Sequence, residues 1–231
     1  AVSSSMTTNA ATQAKSSFDP AVDLTPVAML ARGPFIVAVN DSFPAKNPAE
    51  LIALLKANPG KFNYASSGAG STNQFATELL KVMSGTYVLH IPYRGMGPAV
   101  TDLIGGQTQI LLASRPSLLP QVRNGRIRAI GITSLKPSPI APELIPMATA
   151  IPGYEFELWW GIFAPPGTPG EIVATLNQEI NKILNLPETK AAFIREGAEA
   201  YPLTPAQFST RMNSDIARWK KIAKQQGITA E

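Results

Sequence analysis

The sequence of 231 residues contains no cysteine and only one histidine, His90. Without cysteine there is no disulfide, no thiol nucleophile and no cysteine-ligated metal. A single histidine among isolated carboxylates predicts no metal site. Neither a Gly-x-Ser-x-Gly elbow nor a Walker phosphate-binding pattern occurs, and the serine, histidine and aspartate residues lack the spacing of a catalytic triad. The inventory favours binding without catalysis, so we predict neither an enzyme nor a bound cofactor.

Long apolar runs and concentrated charge are also missing. Hydrophobic residues make up 45% of the chain and charged residues 16%, which is ordinary for a globular protein. No apolar run is long enough to cross a bilayer, so we predict that the chain is not itself membrane-inserted. The net charge is +4, but the densest basic cluster is one helix face at 218–224. Because no aromatic residues interleave with basic ones, we predict no nucleic-acid partner.

Strand-like and helix-like segments alternate between residues 34 and 133. Asn47, Pro48 and Glu50 supply the N-cap, first-turn proline and capping acid of one helix. Repeated β–α–β units predict an α/β fold with a largely parallel sheet and helices on both faces. The predicted strands are residues 34–39, 62–66, 87–92, 109–113 and 127–133.

The alternation stops after residue 133. Residues 136–152 carry five prolines and predict an irregular connection. A strand at 154–164 and three helices follow. We therefore predict a discontinuous organisation, with residues 1–34 plus 159–231 in one lobe and residues 35–158 in the other. Two crossing strands would join the lobes, and ligands usually sit in a cleft between domains.

The segment FNYASSGAGSTNQ at residues 62–74 is the most informative stretch. It predicts a strand, a turn of small polar residues and the start of a helix. Gly68 and Gly70 permit positive φ and a close approach to the backbone. A helix N-terminus carries unpaired N–H groups and partial positive charge. The segment therefore predicts a site for a carboxylate or phosphate.

A purely structural interpretation of the same helix start stays open. Ser71 and Gln74 have the spacing of a capping box, with Ser71 at the N-cap and Gln74 reaching back to it. In that interpretation the glycines only form the turn. The two interpretations are compatible, because a capped helix still has free N–H groups at Thr72 and Asn73. Gly85 is predicted to end the helix.

A nucleotide- or dinucleotide-binding enzyme is the alternative that the motifs leave open. The spacing of Gly68, Gly70 and Asn73 lacks the third glycine of the dinucleotide fingerprint, and the expected acidic residue is missing. Arg94 lies in its place and would suit a 2′-phosphate. His90 is predicted to be a hydrogen-bonded structural residue of a strand, with general-base catalysis as the alternative.

Five motifs in the same order carry a resemblance to a known family. They are YASSGAGST at 64–72, HIPYRG at 90–95, PAVTDLIGGQ at 98–107, GRIRAIGITS at 125–134 and WGIFAPPGTP at 160–169. Through these five motifs the chain resembles the Bug/TctC family, the extracytoplasmic solute receptors of tripartite tricarboxylate transporters. The resemblance implies a type II periplasmic-binding-protein fold with parallel or mixed sheets, a periplasmic location and a membrane permease as partner. A ligand-sensing subunit without a transport role shares the same fold.

The resemblance also implies how a small organic carboxylate is held. Family members use backbone and hydroxyl donors from two loop–helix junctions. One junction corresponds to residues 67–73 here, and the other to the serine-rich segment 3–7, whose alternative is an N-cap cluster or a frayed terminus. Arg94 is predicted to add positive charge at the rim of the cleft; a surface or structural role is the alternative. The predicted ligand-binding residues are Ser4, Ser5, Ser67, Gly68, Gly70, Ser71, Thr72, Asn73, Arg94 and Ser114.

One departure from the family pattern concerns the beginning of the chain. Family members start with a first strand and a loop rich in proline and glycine, and this sequence shows no counterpart of them. The first residues also lack the basic and apolar segments of a signal peptide. The resemblance therefore predicts a first lobe that is incomplete at its N-terminus.

Overall fold

The structure, a computed structural model, describes residues 1–13 and 18–229. The chain forms two compact units: unit 1 comprises Ala1–Gly33 and Leu158–Glu231, and unit 2 comprises Pro34–Glu157. The chain passes between the units twice, once inside strand β2 (Thr25–Asn40) and once at the start of strand β7 (Glu157–Ala164). Whether the units act as two ligand-binding lobes stays a prediction.

Unit 2 contains one sheet with helices between its strands, and it begins with the second half of β2. Its other strands are β3 (Asn63–Ser66), β4 (Leu89–Pro92), β5 (Ile110–Ser114) and β6 (Ile127–Ile132). Its helices are α3 (Pro48–Ala57), α4 (Thr72–Ser84), α5 (Met96–Ile104) and α6 (Arg115–Arg123), with a short 3-10 turn at Met147–Thr149.

The sheet of unit 2 is mixed, which agrees with the predicted α/β fold of parallel or mixed sheets. Its strand order is β6–β2–β5–β3–β4, with β3 parallel to β4 and β5. Strand β2 is antiparallel to β5 and β6, so it alone runs against the other four strands. A strand runs parallel or antiparallel to its neighbours according to which end of the sheet the chain enters it from. The alternation of strand and helix patterns in the sequence does not indicate that end.

Helix α4 begins and ends where its sequence signals predict. Ser71 is its N-cap, and Gly85 ends it in the left-handed conformation at φ 66°. The apolar residues Phe75, Leu79 and Leu80 are buried, as are Asn73 and Gln74 of the first turn. Ser71 and Thr72 are half-buried, so the start of the helix is partly accessible.

Unit 1 consists of a small sheet packed against helices. Strand β7 lies between β1 (Val2–Ser3) and the first half of β2, which also pairs with β8 (Glu199–Ala200). Its helices are α1 (Ser5–Thr12), α2 (Pro20–Asp23), α7 (Gly170–Asn185), α8 (Pro187–Arg195) and α9 (Pro205–Gln226).

Helix α9 supplies much of the core of unit 1. Thr204 and Gln207 form a complete capping box around Pro205. Phe208 of the buried face packs edge-on against Trp159 of β7 at 5.1 Å between ring centroids. The Trp159 indole N–H donates to Asp215 Oδ2 at 2.8 Å, so the buried carboxylate has a partner. The two elements are thereby joined by packing and by a hydrogen bond.

Candidate functional site

Three parallel strands of unit 2 end at the same edge of the sheet. Strands β4, β3 and β5 run parallel, so their last residues, Pro92, Ser66 and Ser114, all lie at the carboxyl edge. Ligands of open α/β sheets bind outside this edge. Every site residue predicted in unit 2 lies at the end of one of these strands, in the loop that follows it or at the start of the next helix, so the sheet brings those residues to one edge.

The loop after β3 requires its two glycines. Gly68 has φ 140° and Gly70 has φ 73°, conformations that L side chains rarely adopt. A Cβ on Gly68 would also lie 3.4 Å from the main-chain oxygen of Tyr93. The glycines therefore form the turn and permit a neighbouring chain to approach it, as predicted.

The capping of α4 differs from the predicted capping box in one partner. Ser71 Oγ accepts from the Gln74 amide at 3.4 Å, as expected. The Gln74 side chain, however, accepts from the Gly70 amide at 2.8 Å and not from the amide of Ser71. The Ser71 amide donates instead to the Gly68 carbonyl at 3.3 Å. Since the turn already pairs that amide, the glutamine side chain bonds one residue earlier.

Two main-chain amides at the start of α4 remain open. Within residues 1–13 and 18–229, no protein oxygen accepts from the amides of Thr72 and Asn73. The hydroxyls of Ser71 and Thr72 stand beside them, and Ser71 Oγ acts only as an acceptor toward Gln74. These donors, together with the partial positive charge of the helix end, are suited to an anion.

Two other predicted side chains, those of Ser67 and Asn73, already form hydrogen bonds within the protein. Ser67 Oγ donates to Asn73 Oδ1 at 2.9 Å, and Asn73 Nδ2 donates to the Leu112 carbonyl of β5 at 2.6 Å. The Asn73 side chain therefore ties the helix start to the central strand. Its main-chain amide, and not its side chain, is the group that remains open.

Arg94 and Ser114 flank the same loop. The amides of Tyr93 and Gly95 donate to the carbonyls of Ser66 and Ser67 at 3.1 and 3.2 Å, so Arg94 follows the loop closely, with an exposed side chain. Ser114 is the N-cap of α6 and pairs its hydroxyl with Ser117 at 2.9 Å. The site thus has the positively charged side chain of Arg94 nearby and the start of a second helix, α6, beside it.

His90 has the hydrogen-bonded role in a strand that the sequence predicts. Its Nε2 lies 2.6 Å from Ser66 Oγ and its Nδ1 lies 3.2 Å from Gln74 Nε2. The ring stacks on Tyr64 with centroids 4.8 Å apart. Burial is the largest influence on this group and lowers its pKa. The sequence analysis did not identify Ser66 and Gln74 as partners of His90. The available signal was that Ser66 is a polar residue at the end of an apolar strand.

The predicted contacts of unit 1 differ in accessibility. Ser4 is 5% exposed and is already engaged with Trp159, whose amide donates to Ser4 Oγ at 3.2 Å. Ser5 is exposed and shares a hydrogen bond of 2.7 Å with Ser3. Of the two predicted residues, Ser5 is therefore the one whose hydroxyl a ligand can reach.

The part of the chain that the structure describes lacks two features and contains one further groove. Across residues 1–13 and 18–229, no group of three or more histidine, cysteine, aspartate or glutamate residues is arranged to hold a metal. In the same part of the chain, no helix combines the length and the apolar character needed to cross a membrane. A groove of about 480 Å³ lies between α5 and α6 and is lined by Met96, Val100, Thr101, Ser117, Gln121 and Arg126. Its Ser117 is the hydrogen-bond partner of the predicted Ser114.

An α/β chain with two open amides and two hydroxyls gathered at a strand edge has the features of a binding protein for small anions. The model of the family described as the tripartite tricarboxylate transporter family receptor, TctC, matches residues 1–228. The chain belongs to this family, which confirms the predicted resemblance.

Three similar proteins illustrate the relationship. A UPF0065 protein in the tcbD–tcbE intergenic region of Pseudomonas sp. strain P51 is 34% identical over 210 residues, 90% of this chain and 62% of that relative. The R. palustris structure "Rpa4515 with adipate" matches with TM-score 0.85 and 33% identity, covering 99% of this chain and 77% of that one. The structure of MatC from Rhodopseudomonas palustris with bound malate matches with TM-score 0.77 and 26% identity, covering 95% and 76%.

These comparisons confirm the predicted periplasmic-binding-protein fold. They do not favour the alternative of a dinucleotide-binding enzyme. The chain spans less than two thirds of the length of the Pseudomonas relative.

Proposed function

We propose that this chain belongs to a periplasmic receptor that captures a small organic carboxylate and delivers it, chemically unchanged, to a membrane permease. The open amides of Thr72 and Asn73 carry this proposal, because unpaired N–H groups at a helix start are suited to an anion. Family membership supports it, as do the similar structures that hold adipate and malate. Units 1 and 2 would be the two lobes of the receptor.

The proposed contacts to the carboxylate are neutral donors. In unit 2 they are the amides of Thr72 and Asn73 and the hydroxyls of Ser71 and Thr72; in unit 1 the exposed donor is Ser5. Each hydrogen bond to a charged group contributes about 1.5–3 kcal/mol. Four such bonds, less the costs of desolvation and ordering, are enough for roughly micromolar affinity. Arg94 would add long-range attraction from the rim.

The class of ligand is tested by isothermal calorimetry and thermal shift. The panel contains adipate, malate, succinate and citrate, with NADP⁺ and AMP as nucleotide comparisons. We expect at least one carboxylate to bind and to raise the melting temperature, because a ligand that binds only the folded state stabilises it. Binding of nucleotides with no response to any carboxylate contradicts the proposal and supports the dinucleotide alternative.

Replacing Thr72 with proline tests the open amide directly. Proline is favoured at the first helical position, where it lacks only the N–H that the helix does not use. Ser71 already has the extended conformation, φ −70° and ψ 155°, that a residue before proline needs. The chain itself contains this arrangement at Thr204-Pro205 of α9. We expect folding to be retained and carboxylate affinity to fall by about 1.5–3 kcal/mol for the lost amide, tenfold or more, in addition to the loss of the threonine hydroxyl.

Thr72→Val is the matched control for that substitution. It keeps the main-chain amide and removes the hydroxyl, so comparison of the two variants by calorimetry separates the two donors. Equal affinity of Thr72→Pro and the unaltered protein, with both folded, excludes this amide from the site.

A further inference from the structure

We propose that His90 is a positioning residue that locks the loop at residues 66–70 in the conformation that keeps the amides of Thr72 and Asn73 open. It acts as a neutral ring with its hydrogen on Nε2. The lock itself follows from hydrogen-bond geometry. Its effect on ligand affinity rests on the proposed function.

The hydrogen bond of the Gly70 amide determines the tautomer of His90. Its main-chain N–H can only donate, so the atom of Gln74 that lies 2.8 Å away is the amide oxygen. The amide nitrogen of Gln74 then faces His90 Nδ1 at 3.2 Å. Since an amide nitrogen only donates, Nδ1 must accept and carries no hydrogen.

The contacts of Ser66, on the other side of the ring, fit the same tautomer. Ser66 Oγ lies 3.0 Å from the Gly68 carbonyl, which can accept its hydrogen, and it accepts from the Gly68 amide at 3.2 Å. With the hydrogen on Nε2, the 2.6 Å contact is a donation from His90 to Ser66 Oγ, and the serine hydrogen stays with the Gly68 carbonyl.

The imidazole consequently bridges the two ends of the glycine turn. Through Ser66 it fixes Gly68, and through Gln74 it fixes Gly70. Both glycines have positive φ and are intrinsically the least constrained residues of the loop. If Gln74 were released from His90, it would be free to turn toward the neighbouring open amides. The bridge therefore prevents the protein's own side chain from occupying the anion site.

Protonation of His90 would oppose this arrangement. A hydrogen on Nδ1 would face the Gln74 amide hydrogens, donor against donor. The groups that face the ring are Glu78 and Lys81 of α4 and Tyr64 of β3. Burial lowers the pKa of His90 below its usual 6.5, Glu78 raises it and Lys81 lowers it further. Stability contributed by the neutral ring is therefore present above pH 6.5 and is lost as the pH falls through the lowered pKa.

The tautomer is measured by ¹⁵N–¹H correlation NMR of the full chain labelled at histidine. Because His90 is the only histidine, the spectrum has one assignable ring. We expect a protonated Nε2 and an unprotonated Nδ1 at pH 7, and titration below the usual histidine range. A ring with its hydrogen on Nδ1, or a rapidly averaging pair of tautomers, overturns the proposal.

The lock is measured with His90→Phe, which keeps an aromatic ring over Tyr64 and removes both hydrogen bonds. We expect amide exchange of Gly70 to accelerate at least tenfold and the affinity for the carboxylate found in the panel to fall at least fivefold. The affinity of the unaltered protein should weaken as the pH falls below the His90 pKa, and that of the variant should not. Unchanged Gly70 exchange in a folded His90→Phe overturns the proposal.

A second variant separates positioning from general destabilisation. Val88 is 1% exposed and precedes β4, so Val88→Ala weakens packing without touching the bridge. We expect it to lower the melting temperature with Gly70 exchange and affinity unchanged. The NMR and exchange measurements need no ligand. If they give the expected result and no carboxylate binds, the proposed function fails and the lock stands; if carboxylates bind His90→Phe as well as the unaltered protein, the positioning role fails.

Discussion

Replacing Lys81 with methionine is expected to lower the free energy of unfolding by roughly 3–5 kcal/mol. Lys81 Nζ lies 2.9 Å from Glu78 Oε1 and 2.8 Å from Oε2, and the two side chains are only 10% and 5% exposed. Tyr64 donates its hydroxyl to the same carboxylate at 2.5 Å. Without the ammonium group, a buried carboxylate keeps one neutral partner, and breaking one side of a buried pair leaves an uncompensated charge.

The chain supplies its own control for this substitution. Lys182 pairs with Glu179 at the same helical spacing, with N and O atoms 2.7 Å apart, but the side chains are 61% and 59% exposed. Lys182→Met should change stability by less than about 1 kcal/mol, since exposed pairs contribute little. Urea unfolding monitored by circular dichroism measures both variants. Equal effects of the two substitutions contradict the argument that burial decides the value of the pair.

A double substitution examines the cause of the loss. Glu78→Gln combined with Lys81→Met removes both charges and leaves an amide that still accepts from Tyr64. We expect it to recover most of the stability lost in Lys81→Met, because a neutral pair avoids the unpaired buried charge. If the double variant recovers none of the stability lost in Lys81→Met, the lost packing of the lysine side chain, and not the unpaired charge, is the larger contribution.

The local signals in the sequence predicted the ends of helices well. Caps, first-turn prolines and terminal glycines act within a few residues, and Ser71 and Gly85 both have their predicted roles. The direction of β2 was not predictable in this way. It depends on pairing with β5 and β6, which lie about 70 or more residues away along the chain, and long-range pairing leaves little trace in a local pattern.

The candidate site was predicted only in part, for the same reason. The glycines and the helix start are contiguous in sequence, so their geometry followed from the segment 62–74. The bridge through His90 was not predictable, since it depends on the parallel register that sets Tyr64 beside His90. That register brings Ser66 and Gln74 to opposite sides of one ring. The capping box predicted for Gln74 is correct in spacing but wrong in the partner of its side chain.

Replacing Gly161 with alanine is expected to destabilise unit 1 by about 3 kcal/mol, at the upper end of the range for an overpacked core. A Cβ at this position of β7 would overlap Phe208 Cζ and lie 2.6 Å from Cε1, with the Ala28 carbonyl oxygen 3.2 Å away. The Phe208 ring is fully buried, and Trp159 and Phe163 pack against it with centroids 5.1 and 4.9 Å away. The ring therefore has no vacant space into which it can move.

A second glycine isolates steric overlap from the other effects of a glycine-to-alanine change. Gly97 of α5, like Gly161, does not have a positive φ, and a Cβ there would meet nothing within 4 Å. Gly97→Ala should be neutral or stabilising by up to about 1 kcal/mol, because alanine favours the helix. Phe208→Leu introduced together with Gly161→Ala should restore part of the loss by shortening the opposing side chain. If Gly161→Ala unfolds at the same urea concentration as the unaltered protein, the Phe208 ring can move aside without cost, and the argument from overpacking is wrong.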